Sequence, residues 1–209
     1  MLFSLLFQDP KIFMMIILAV IFALTIHEFS HALAATLLGD NTSKYAGRLN
    51  LNPLSHMEIF GTLMLLFAGF GWGKPVPVNP YNLKWRRWGS AVVSLAGPVS
   101  NFLSVIFFVL IANLLANFLS PTSLLFDFLF YLIFINLILG VFNLIPIPPL
   151  DGSKVLFAIL PSHFDDFKRK FSVNGPWILV ILIILDNFVG INIFGRIFNW
   201  FIGLLSYFL

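Results

Sequence analysis

The chain has 209 residues, 59% of them hydrophobic and only 10% charged, with a mean hydropathy of +0.97. A soluble domain carries roughly 25% charged residues to wet its surface, and this much apolar side chain cannot be hidden inside a core of this size. A soluble globular protein and a disordered one are both excluded, so lipid is the solvent. The formal charge of +3 and the pI near 9.3 read as Lys and Arg kept on the cytoplasmic side of a membrane, not as a nucleic-acid surface. With no cysteine in the chain, disulfides, thiolate zinc sites, iron–sulfur clusters and a cysteine nucleophile are excluded. Residues Met1 to Gln8 lack a positive n-region, so no cleaved signal peptide is expected.

Spanning a bilayer takes about 20 apolar residues as helix. The first predicted span runs from Ile12 to Leu38 and is interrupted by one polar cluster, His27–His31. Next comes a run of only 13 residues, Ile59 to Gly71, too short to cross alone. Glycines at 61, 69, 71 and 73 and prolines at 75, 77 and 80 surround it, and Val76-Pro77-Val78 reads as extended chain. Residues 44–80 are therefore predicted as a re-entrant or interfacial segment with strand or β-hairpin content. Irregular backbone is tolerated at membrane depth only where protein or a water-filled cavity satisfies it, so such a segment should line a site.

The second span is predicted from Trp88 to Phe118. A third begins near Leu124, loses helical character at Asn143–Pro149, and resumes as an apolar stretch over Ser153–Leu160. The fourth covers Trp177 to Val189, with Asp186 inside it and no role assigned. The tail Gly195–Leu209 either lies in the interface or helps to span. The expected fold is an all-α polytopic membrane protein with about four to five transmembrane helices. It forms one domain over 1–209, with a core over about 12–160 and C-terminal helices over 175–209. With residues 59–71 not crossing, ten Lys and Arg fall on one side and two, Lys11 and Arg196, on the other. The positive-inside rule then makes the first side cytoplasmic and leaves the N-terminus outside.

His27-Glu28-Phe29-Ser30-His31 reads H-E-x-x-H on a helix. Residues four apart share a helical face, so both imidazoles can reach one metal ion, and Glu28 can act as general base on its water. Ionisable groups inside a spanning helix are costly and mark function by default. A histidine pair merely hydrogen-bonded to neighbouring helices is the bland alternative. A catalytic zinc takes three protein ligands and keeps one open position. The candidate third ligand is Asp151, where three prolines break the third span; the competing reading makes it the N-cap of the helix that follows. If the first and third spans run the same way, both parts of the site share one half of the membrane.

At this point the sequence resembles the site-2 proteases, intramembrane zinc metalloproteases that cleave transmembrane segments. The resemblance runs from about Leu24 to Leu160. It rests on the H-E-x-x-H helix, Gly47-Arg48-Leu49-Asn50-Leu51-Asn52-Pro53, Gly71 to Pro80, Ser94-Leu95-Ala96-Gly97-Pro98 with Asn101, and Asn143-Leu144-Ile145-Pro146-Ile147-Pro148-Pro149-Leu150-Asp151-Gly152. The match is closest to the small prokaryotic branch. Many members add PDZ or CBS domains, for which these residues have no room.

The resemblance implies that His27, His31 and Asp151 ligate one Zn2+ ion, that Glu28 is the base, and that Asn143 steadies the oxyanion. It further implies a transmembrane protein or peptide as substrate. His56 matches a position where the family often has His, and hydrogen-bonds near the site or sits in a solvated loop. Gly97 and Pro98 are expected to permit close helix approach. Residues Gly71–Pro80 are expected to guide an extended substrate strand. His163, Asp165 and Asp166 read as a cytoplasmic loop. Two rival readings are a zinc or divalent-cation transporter and a metal-binding scaffold without protease activity.

Overall fold

A computed structural model describes residues 2–68, 71–118, 120, 123–188, 190 and 192–205. A short helix, α1 (Leu2–Gln8), leads into α2 (Pro10–Leu37). Asp9 caps α2: its Oδ1 accepts the N–H groups of Lys11 and Ile12, both at 3.1 Å, and Pro10 fills the first turn. Then come α3 (Thr42–Tyr45), α4 (Ile59–Ala68), α5 (Arg86–Leu115) and α6 (Leu124–Asn143). Among the described residues three helices, α2, α5 and α6, are long and apolar enough to cross a membrane. Their residue ranges agree with the first three predicted spans to within three residues at each end.

These three helices pack on one another. On α2 the contact runs along Ala19, Ala23, Ala32 and Ala35, all fully buried, and such small side chains let helix backbones approach. Val105, Phe108 and Val109 of α5 and Leu129, Leu132 and Leu137 of α6 fill the apolar core. Outward-facing residues such as Leu103, Phe107 and Leu110 are exposed, as lipid contact requires.

The segment after α2 returns to where it left. Ser43 Oγ donates to Ala32 O at 3.3 Å, and beyond the loop Lys84 N donates to Leu38 O at 2.8 Å. Both ends of the segment therefore rest on the C-terminal end of α2. Between them α4, ten residues and about 15 Å long, packs against α1, with Phe3 and Phe67 rings 5.0 Å apart. The re-entrant expectation holds, and α2 and α6 run the same way. Among the described residues hairpin character reduces to one antiparallel bridge, Met57 to Gly73, with Lys74 N donating to His56 O at 2.8 Å. Pro75, Pro77 and Pro80 have no N–H to extend the ladder.

After α6 the chain turns through 144–150 into α7 (Asp151–Ile159), then α8 (Asp165–Phe188) and α9 (Ile193–Leu205). The predicted loop at 165–166 is instead the first turn of α8, where Asp165 pairs with Lys168 at 2.7 Å and Asp166 with Arg169 at 3.3 Å. His163, just before it, is exposed, with its ring 4.3 Å from that of Phe164. The predicted fourth span is the C-terminal half of α8, which runs on through Pro176; Val189 lies outside the described residues. The tail forms α9, which packs Phe198, Phe201 and Ile202 against the core; 206–209 lie outside the described residues. Asp186 now has a role: its carboxylate accepts the N–H of Ile193, tying α8 to the start of α9.

Candidate metal centre

Helical spacing places His27 and His31 on the face of α2 that meets α5, and both are buried. The turn after α6 delivers Asp151 to the same point. Leu150, not Asp151, occupies the N-cap position of α7, so the capping alternative fails and the Asp151 carboxylate is directed elsewhere. Its Oδ2 lies 3.2 Å from His27 Nε2 and 3.1 Å from His31 Nε2, and the two Nε2 atoms are 3.1 Å apart. Among the described residues these three form a group able to hold a metal ion.

That near-equilateral triangle can be tested against zinc. Bonds of about 2.0–2.1 Å at tetrahedral angles separate ligand atoms by about 3.3 Å. The observed edges of 3.1–3.2 Å match within about 0.2 Å. The other ring nitrogens settle the chemistry of the donors. His31 Nδ1 lies 2.7 Å from Val93 O, and His27 Nδ1 lies 2.7 Å from Asn101 Oδ1. Both partners are oxygens that accept, so both Nδ1 atoms donate and, in the neutral imidazoles that ligate metal, both Nε2 atoms present lone pairs. Two lone pairs and a carboxylate oxygen converging at this distance repel one another unless a cation lies between them. The residues fit zinc.

Two glycines make room for this geometry. A Cβ added at Gly97 would lie 2.5 Å from His31 Nε2 and 2.6 Å from His27 Cε1, so the imidazoles rest on bare backbone. One added at Gly152 would lie 2.1 Å from Leu144 O, so only glycine lets α7 start hard against the turn that aims Asp151.

Glu28 and Asn143 are the other two predicted site residues. Glu28, half-buried on α2, lies within electrostatic reach of His27, Asp151, Arg48 and Lys154. Lys154 Nζ is 3.8 Å from Asp151 Oδ1 on a half-exposed side chain, a contact worth little. Asn143 ends α6, and its Nδ2 donates to Leu139 O at 3.0 Å, an acceptor on its own helix. The second hydrogen of that amide is not committed by this bond.

His56 is fully buried, which overturns the solvated-loop alternative; its Nε2–H donates to Asn50 O at 2.8 Å. Burial pushes the His56 imidazole pKa below its ordinary value, against the opposing pull of the Asn50 carbonyl. Arg48, also buried, donates to Pro75 O at 3.0 Å and to Lys74 O at 2.5 Å, fixing the extended stretch beside the site. Burial lowers its pKa too, while the carboxylate of Glu28 works in the opposite direction.

Sequence reasoning gave no role to Asn101, the Val93 carbonyl or Asn136. Asn101 stood in a quoted motif, and Asn136 is a lone amide in an apolar run, a signal the intramembrane-polar rule could have used. A backbone acceptor such as Val93 O leaves no trace in residue types.

The family model of Peptidase family M50 matches residues 119–185, which include Asn136, Asn143 and Asp151. The chain is 40% identical over 154 residues to the Bacillus subtilis protein named "Putative zinc metalloprotease YwhC", covering 70% of this chain and 69% of that one. It is 30% identical over 203 residues to "Putative zinc metalloprotease Rip2" of Mycolicibacterium smegmatis, covering 94% and 73%. To the Rip2 of Mycobacterium tuberculosis strain H37Rv it is 33% identical over 207 residues, covering 92% and 71%. No solved structure matches the chain. On these matches the chain belongs to peptidase family M50, the site-2 proteases.

Proposed function

We propose that this membrane metalloprotease hydrolyses peptide bonds within or next to transmembrane segments, using an H-E-x-x-H zinc site. In this reading His27, His31 and Asp151 hold one Zn2+, Glu28 is the general base, and Asn143 donates to the oxyanion. The observation that carries it is the convergence of three lone-pair donors, each 3.1–3.2 Å from the next, with Glu28 one residue from the first. Relatives named as zinc metalloproteases favour hydrolysis over cation transport.

Zinc, when bound, supplies Lewis acidity, lowering the pKa of its water toward about 7 and polarising the scissile carbonyl. Glu28 takes a proton from the attacking water at its carboxylate and later passes it to the leaving amine. The uncommitted N–H of Asn143 donates to the charge that develops on the carbonyl oxygen, which in a dry site stabilises it strongly. Arg48 holds the 74–75 backbone extended, so a substrate unwound from its own helix has a straight edge to lie along. Substrate helices with glycine or proline near the cut unwind most readily.

Residues 1–209 act in this reading as one domain, with the N-terminus outside and the site in the cytoplasmic half of the membrane. A cysteine placed at position 74 of this cysteine-free chain should then react with reagent added from the cytoplasmic side. Labelling only from outside would reverse the orientation. The activity itself is tested with a reporter transmembrane substrate and pure protein. Glu28→Gln should abolish cleavage while zinc content stays at one per chain; cleavage at the wild-type rate would overturn the protease reading.

A further inference from the structure

We infer that Asn136 is a positioning residue for the metal centre, acting on His27 through Asn101. Asn136 lies in the middle of α6 and is fully buried in the apolar run Phe134-Ile135-Asn136-Leu137-Ile138. An amide at membrane depth must find partners inside the protein. Its Nδ2 donates to Leu132 O at 2.7 Å, so its Oδ1 is presented to α5. There Asn101, also fully buried, donates from Nδ2 to Asn136 Oδ1 at 2.9 Å and to Ala23 O at 3.1 Å. Both hydrogens of that nitrogen are committed, and Oδ1 is left to accept from His27 Nδ1 at 2.7 Å.

The direction of every bond in this line follows from its outer end. Leu132 O and Ala23 O are backbone carbonyls, which only accept. Reversing the Asn101 amide would set oxygen against Ala23 O and Asn136 Oδ1, and N–H against His27 Nδ1–H. The line therefore keeps the proton of His27 on Nδ1 and turns the lone pair of Nε2 toward Asp151 and His31. It also ties α2, α5 and α6 together at the depth of the ligands. His31 needs no such device, because Val93 O accepts from its Nδ1 directly. The two ligands differ in this respect, and the difference supplies an internal control.

The inference rests on the reading that the triad holds zinc. The test uses the full chain in lipid nanodiscs, loaded with zinc, with affinity read by chelator competition. Asn136→Leu removes the acceptor for Asn101 and should weaken zinc binding about 10-fold, the low end of the range for loss of a ligand's own hydrogen-bond partner, because Asn136 acts one bond further out. Asn136→Asp, held protonated by its apolar surroundings, donates its O–H to Leu132 O and keeps an oxygen facing Asn101, so it should bind within about threefold of wild type. In protein with 15N-labelled histidine, the Nδ1–H signal of His27 should lie far downfield in wild type and Asn136→Asp. It should move upfield in Asn136→Leu while that of His31 stays in place.

Wild-type affinity in Asn136→Leu with an unmoved His27 signal would overturn the relay. So would equal losses in the Leu and Asp variants, which a packing role predicts. A wild-type chain that takes up no zinc would instead sink the metal reading itself. Should Asn136→Leu fail to fold, wild type still decides: a His27 Nδ1–H signal like that of a solvent-exposed imidazole overturns the relay.

Discussion

In the helical core, His27, Asn101 and Asn136 bond side chain to side chain across three helices, and His31 bonds to a helix carbonyl. In the segment over 40–84, the buried Asp40, Arg48 and His56 bond mainly to loop backbone: Asn79 N to Asp40, Arg48 to Lys74 and Pro75, His56 to Asn50. The core is packed by small residues around its polar groups, whereas α4 leaves Ile59, Phe60 and Phe67 exposed. Polar bonds in the core orient ligands. Those in the segment hold a loop that has little apolar packing of its own. Changes in the first region should therefore reach the metal, and changes in the second should leave the metal and loosen the loop.

The largest effect is expected at Gly97. Gly97→Ala drives a methyl group into both imidazoles, and overpacking of this kind costs typically about 1–3 kcal/mol in stability even where the neighbours can shift. Here the neighbours are the ligands, so zinc content after dialysis should fall well below one per chain and cleavage with it. Full zinc occupancy in that variant would break the distinction between the regions. Second comes Arg48→Ala. It releases the 74–75 backbone, and cleavage should drop about 10- to 100-fold through mispositioned substrate, with zinc affinity unchanged. Loss of zinc in this variant would show that the segment holds the metal too.

Asp40 gathers hydrogen bonds from Thr42, Asn79 and Asn82, and they outweigh burial to keep its carboxyl below the usual range. Asp40→Ala removes them all, each worth about 1 kcal/mol net. Limited proteolysis between residues 74 and 84 should speed up several-fold while the core stays resistant.

The smallest effect is that of pH on His56. Its folded pKa lies below the unfolded value of 6.5, so the folded chain binds fewer protons there and stability rises with pH across that window. Acidification from pH 7.5 to 5.5 should lower the amide protection factors around residues 50–57, because a proton on the buried, unpartnered Nδ1 has no acceptor among the described residues. His56→Gln should abolish that pH response; its persistence would assign the response elsewhere.

Much of this was legible in the sequence, for identifiable reasons. H-E-x-x-H spacing converts directly into a shared helix face, and three prolines in seven residues announce the turn that delivers Asp151. The expected start near Leu124 and the break at Asn143 bound α6 where the structure has it. The fourth span is expected from Trp177, yet the helix begins at Asp165 and runs on through Pro176, with Gly175 packed close against Pro148. The proline-rich stretch over 75–80 suggested a hairpin, yet its missing N–H groups leave one bridge among the described residues. The hydrogen-bond partners of the ligands were least legible, since their acceptors are a backbone carbonyl and one amide on another helix.

The central claim, that His27, His31 and Asp151 hold zinc, is tested most directly by zinc X-ray absorption on the full chain in nanodiscs. The account predicts one zinc per chain with four nitrogen or oxygen ligands at about 2.0–2.1 Å, two of them imidazoles. In Asp151→Ala one oxygen ligand should be replaced or lost while both imidazoles remain. Fewer than two imidazoles in wild type, or an Asp151→Ala spectrum identical to it, would contradict the account.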